Sequence, residues 1–182
     1  MRMHVWSLGF CGILAISGLA GCSGASSKSP EVTDSIRRSL SESHLSEVSV
    51  SQDRDKGVVT LSGHVKSDDD KSQAESIAKA NAGGQVVADE IIVTPPGAEH
   101  DAKTINADLD KAIDKNLDAA LIQAQVSKGV KYDVKNGVVT LKGDVRSQSV
   151  RSKVESLASK VPNVQQVVNE LDVKNQKATS VN

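Results

Sequence analysis

The chain has 182 residues, with 22 Lys and Arg against 23 Asp and Glu, and a formal net charge of −1. That balance gives no general attraction to nucleic acid, and one Tyr, one Trp and one Phe leave no platform for stacking bases. Two cysteines, one of them inside the apolar leader, exclude a disulfide framework.

The leader reads MRMHVWSLGFCGILAISGLAGC. Arg2 precedes an apolar run from Val5 to Ile16, followed by small residues, which is the layout of a secretory signal too short to be a comfortable membrane span. Its end, Leu19-Ala20-Gly21-Cys22, resembles the lipobox of bacterial lipoproteins. The resemblance implies that residues 1–21 are removed as a signal peptide and that Cys22 is acylated, making the membrane a partner of the protein. The alternative is an ordinary secretory signal that happens to contain a cysteine. Removal takes Trp6, Phe10 and Cys11 with it, leaves Tyr132 as the one aromatic residue, and brings the net charge to −2. Acyl chains contribute roughly 0.8 kcal/mol per buried methylene, enough for stable anchoring when more than one is present. Ser23 stands where an Asp would resemble an inner-membrane retention signal, which implies the periplasmic face of the outer membrane in a Gram-negative cell, and otherwise an anchor in the cell membrane. Residues 22–30 are polar and small and read as a tether, and 175–182 read as a disordered tail.

Beyond the tether the chain repeats itself. GVVTLSGHV at 57–65 returns as GVVTLKGDV at 137–145, eighty positions later. At the same shift Glu75-Ser76-Ile77-Ala78 falls on Glu155-Ser156-Leu157-Ala158, and Val87, Glu90, Ile91 and Val93 fall on Val167, Glu170, Leu171 and Val173. A unit has therefore been duplicated. Each unit begins with an amphipathic stretch, Ile36, Leu40 and Leu45 in the first and Leu109, Ile113, Leu117 and Leu121 in the second. A hairpin follows: Val48 to Gln52 or Val130 to Val134, then the alternating GVVTLxGxV strand. Asn136-Gly137 has the residues that a two-residue turn with positive φ requires, whereas the first copy has the longer turn Asp53 to Gly57. A second helix is predicted from Ala74, Ile77 and Ala78, with Ser67 as N-cap and Asp68-Asp69-Asp70 in its first turn. Its counterpart carries Val150, Val154, Leu157, Ala158 and Val161 behind Ser147. A last strand, Val86 to Val93 or Gln166 to Val173, closes each unit. The fold class is α/β, in the form of an α+β sandwich: two tandem αββαβ domains, each a three-stranded mixed sheet with two helices on one face. Gly63 and Gly143 are expected to give the helices room to approach.

The hairpin with G-V-V-T-L-x-G-x-V, the helix after it and V-x-N-E-L-x-V at 167–173 resemble the BON domain. On that resemblance residues 31–94 form the first domain, 95–102 the linker with Pro95-Pro96-Gly97, and 103–174 the second domain. The resemblance implies an envelope protein of bacteria, with phospholipid as the ligand proposed for such domains.

No catalytic set emerges. His44, His64 and His100 do not cluster with other metal ligands, no serine sits in a nucleophile elbow, and Gly83-Gly84 follows a helix where a phosphate loop would open one. Asp68-Asp69-Asp70 lacks the spacing of a calcium loop and reads as charge complementing a helix dipole. No cofactor or metal is expected. The charge split is more informative: residues 31–94 hold 7 basic and 12 acidic side chains, residues 103–174 hold 12 and 9. Lys142, Arg146, Arg151 and Lys153 replace Ser62, Lys66, Lys71 and Gln73 and are the candidate contacts to an anionic surface, which is either phospholipid or an envelope protein. The leading reading is a non-enzymatic, lipid-anchored periplasmic protein that supports envelope integrity or osmotic-stress tolerance; the alternative is a protein–protein scaffold. Oligomeric state is left open.

Overall fold

The computed structural model describes residues 28–173, so the leader, Cys22 and the tail at 175–182 lie outside the described residues. In chain order the elements are α1 (Thr33–Glu42), β1 (Val48–Asp53), β2 (Val58–Val65), α2 (Asp68–Asn81) and β3 (Val86–Val93), then α3 (Glu99–Gln123), β4 (Val130–Lys135), β5 (Val138–Val145), α4 (Gln148–Ala158), β6 (Gln166–Asn169) and β7 (Asp172–Val173). Each copy is thus αββαβ. β1 runs antiparallel to β2 and β2 parallel to β3, with β2 in the middle. The second sheet repeats this with β4, β5 and β6. Its last strand is interrupted at Glu170 and Leu171, after which β7 resumes the parallel pairing with β5.

Local chemistry explains the elements. Ser67 and Ser147 accept the N–H of Asp70 and Val150 at 3.1 and 3.3 Å, capping α2 and α4 as their sequences predict. Asn136 and Gly137 have φ of 50° and 78°, the left-handed pair that lets two twisted strands join without splaying. Gly63 and Gly143 also have positive φ, 115° and 109°. Their purpose differs from the expected one: a side chain there would collide with the backbone carbonyls of Glu47 and Gly129, on the chain entering the neighbouring strand, and the helices are not involved.

One face of each sheet is covered by two helices. Ile36 and Leu40 of α1 and Ala74 and Ala78 of α2 pack on Val59 and Leu61. Ile113, Leu117 and Leu121 of α3 with Val154 and Ala158 of α4 do the same on Val139 and Leu141. Leu109 departs from the expected core row, being 38% exposed, as is Ile105 at 59%. The cause is length. α3 has 25 residues against 10 for α1, about 37 Å at 1.5 Å per residue, so its first half runs past the core it serves. That extension takes up the later part of the expected linker, leaving residues 94–98 between β3 and α3.

The expected tether also ends in structure. Ser29 N–H donates to the Arg54 carbonyl at 2.8 Å, Arg54 Nε returns a bond to the Ser29 carbonyl at 2.7 Å, and Gln52 donates to the Pro30 carbonyl at 2.7 Å.

Candidate interaction surfaces

The sheet faces turned away from the helices are not equivalent along their length. Toward the hairpin-turn ends, Val58 and Ala88 of the first domain bury against Val138 and Val168 of the second, in a small core separate from the two main ones. Val58 and Val138, and Ala88 and Val168, are equivalent under the duplication, so the two domains meet through like surfaces.

Polar groups complete this contact. The side-chain amide of Gln166 donates to the Val87 carbonyl at 2.6 Å and accepts the Asp89 N–H at 3.0 Å. It does there what one residue of a neighbouring strand would do, supplying a ladder rung on the open edge of β3. Asn136, in the turn of the second hairpin, donates to the Glu90 carbonyl at 2.7 Å. The backbone N–H groups of Asn136 and Gly137 both donate to the Asp110 carboxylate at 2.8 and 2.9 Å, which ties this turn to α3. Lys135 pairs with Glu90 at 2.6 Å and Lys56 with Asp172 at 2.7 Å. The hydrogen bond that Lys56 donates to the Asp172 carboxylate raises the Lys56 pKa above the usual lysine range. At this junction lies a cleft of about 390 Å³ lined by Lys71, Glu75, Asp89, Asn106, Asn136 and Gln165. Burial pushes the Asp89 carboxyl above the ordinary carboxylate range. Asp89 also accepts the Ile91 N–H at 3.0 Å, and Lys71 lies 3.9 Å away.

The four basic residues singled out in the sequence do not form one patch. Arg151 donates to the carbonyls of Leu171 and Asn169 at 3.0 and 2.8 Å, and its counterpart Lys71 donates to the Ile91 carbonyl at 2.9 Å. Arg151 therefore holds the edge of the last strand. Lys153 donates to the Ala124 carbonyl at 3.2 Å, at the end of α3. Lys142 and Arg146 are exposed. Sequence comparison missed Lys131, which lies directly across from Lys142 in the β4–β5 ladder and is also exposed. The corresponding pair in the first sheet is Ser49 and Ser62. At a shift of eighty Lys131 falls on Ser51, because the longer first turn displaces β1 by two residues; only the ladder register brings the two lysines together. Among the described residues neither lysine has an acidic partner, and like charges directly opposite on a sheet repel.

His44 and His64 border a depression of about 350 Å³ with Glu47 and Asp70. Among the described residues no group of three or more His, Cys, Asp or Glu is placed to hold a metal ion, and no helix is long and apolar enough to cross a membrane. His100 lies where no side chain is described.

The comparison with known proteins bears on the duplicated unit. The BON domain model matches residues 29–95 and 101–175. Over 146 residues the chain is 31% identical to osmotically-inducible protein Y of Escherichia coli (strain K12), covering 79% of this chain and 71% of that protein. Among solved structures it is similar to the C-terminal domain of CdsD, the structural protein of the type III secretion system of Chlamydia trachomatis, at 15% identity and a TM-score of 0.32, covering 78% of this chain and 65% of that one. A second CdsD structure gives 15% and 0.30, covering 78% and 61%. With two matched units spanning most of its length, built as two αββαβ domains, the chain belongs to the BON-domain family.

Proposed function

We propose that the protein is a non-enzymatic component of the bacterial envelope, anchored by acylated Cys22 to the periplasmic face of the outer membrane, where its second domain contacts anionic phospholipid. The observation that carries this reading is the exposed pair Lys131 and Lys142, held side by side on a rigid ladder without an acidic partner among the described residues. A sheet that tolerates such repulsion gains from an anion between the two ammonium groups. Arg146, just past the end of β5, adds a third charge near the same end of the sheet. With Tyr132 half-buried and its hydroxyl on the Asp114 carbonyl, no aromatic among the described residues is available to insert, so the contact is peripheral and electrostatic. Likeness to an osmotically inducible protein supports a role when the envelope is under osmotic stress.

The test is co-sedimentation of residues 28–182 with phosphatidylcholine vesicles, with and without phosphatidylglycerol, at low and high salt. Binding is expected to need the anionic lipid and to fall with salt. Replacing Lys131 and Lys142 by Ser, as in the first domain, removes about 2 kcal/mol at roughly 1 kcal/mol per basic residue, a roughly thirty-fold loss of affinity. Equal binding to neutral vesicles, or none lost in the double variant, sinks the lipid reading. Capture of an envelope protein by the lipid-free domains would then favour the scaffold alternative. Anchoring is tested separately by mass spectrometry of the mature N-terminus, where an unmodified Cys22 rules it out.

A further inference from the structure

We infer that the surface joining the two domains within one chain is also the surface by which two copies of the chain join, the second domain of each closing on the first domain of the other. The contact is already self-complementary. Everything it needs, from the Val58, Ala88, Val138 and Val168 core to the Gln166 rung and the Lys135–Glu90 and Lys56–Asp172 pairs, is present on every copy. Exchange between two chains forms the same contact twice and closes a two-fold dimer, with no new bond to invent.

Two observations favour opening of the hinge, which is residues 94–98, closed by a turn in which the Ala98 N–H donates to the Pro95 carbonyl at 3.0 Å and Gly97 has a φ of 88°. The Thr94 hydroxyl is buried without a hydrogen-bond partner, so the closed chain carries an unmet polar group at its hinge. Asp110 holds the second hairpin to α3, so helix and domain swing as one body. On that body Ile105 and Leu109, one helical turn apart, stay exposed at 59% and 38% in the closed chain. A paired arm from a second copy gives them something to pack against.

The test uses chains with Cys11→Ser and Cys22→Ser, one carrying Lys56→Cys and the other Asp172→Cys. Both positions are solvent-accessible ends of an ion pair, so neither substitution disturbs a core. The two chains are mixed, partly unfolded and refolded together at high and at low protein concentration, then treated with a short bis-maleimide. Exchange predicts a cross-linked dimer enriched in the mixed species over either like pair, its yield rising with concentration, and a dimer by light scattering before cross-linking. A chain with both cysteines, refolded dilute, is expected to link within itself, which confirms that the variants fold. Only intrachain linkage at every concentration, with no excess of the mixed dimer, overturns the inference.

Discussion

Asp89 and Asn169 hold equivalent positions in the two copies, and each side-chain oxygen accepts the N–H two residues ahead, at 3.0 and 3.2 Å. The turn needs the oxygen, and the charge adds nothing to it. Because burial raises the folded-state pKa of Asp89, its contribution favours the fold below the ordinary carboxylate range and is lost as pH rises through the raised value. Asp89→Asn is therefore expected to be more stable than the parent at neutral pH, with the difference vanishing below about pH 4. Urea titrations of both proteins across that range decide it, and an Asn variant less stable at pH 7 would show that the Lys71 pairing outweighs burial. At Gly143 the constraint is steric, since the backbone stands at a φ of 109° with the Gly129 carbonyl in the place of a side chain. Gly143→Ala should cost about 2–3 kcal/mol by chemical denaturation. The glycine is plain in the sequence, but its neighbour is not, because the contact comes from the strand entry fourteen residues away.

At the scale of elements, periodicity and caps carried most of the reading. The alternation of GVVTLxGxV, the serine caps and Asn136-Gly137 are local signals, and local signals survive without knowledge of the tertiary fold. What escaped were features set by partners. Nothing in Arg151 distinguishes a surface cation from one whose guanidinium holds two carbonyls of a strand edge. The length of α3 escaped because the residues before Leu109 lack an apolar row, and its first turns face the domain junction, with Asn106 lining the cleft there. Asp110 links this helix to the turn it supports by two bonds to a charged acceptor. Such bonds are worth roughly 1.5–3 kcal/mol, so Asp110→Ala should lower stability by about 2 kcal/mol or more, with Asp110→Asn intermediate. A variant as stable as the parent would mean that water replaces the carboxylate at no cost.

The whole molecule is two small domains that share a third core, and this was the least legible part of the chain. Val58 and Ala88 read as ordinary strand residues, since β-branched and small side chains suit either face of a sheet. Only the fold shows that the face away from the helices is dry at one end and charged at the other. The coupling can be read at one amide. The Asp89 N–H has Gln166 as its acceptor, so its exchange reports separation of the domains without unfolding of either. In a Lys135→Ala, Asn136→Gly variant, which keeps Gln166 and loses the Asn136 bond to the Glu90 carbonyl, that amide should exchange at least about tenfold faster, the loss of roughly one hydrogen bond, while amides in the β1–β2 ladder keep their protection. Equal acceleration everywhere would mean that the domains part only when the protein unfolds.

The rung at Gln166 has a counterpart that cannot return the favour. The equivalent residue in the first copy is Val86, 49% exposed and without an amide to offer. Duplication began with interchangeable halves, and this pair of residues made them directional. A chimera built from two first copies would leave the Val87 carbonyl and the Asp89 N–H bare, so it should assemble poorly however well each half folds. The ancestry of the chain is symmetric, and its present grammar has an order.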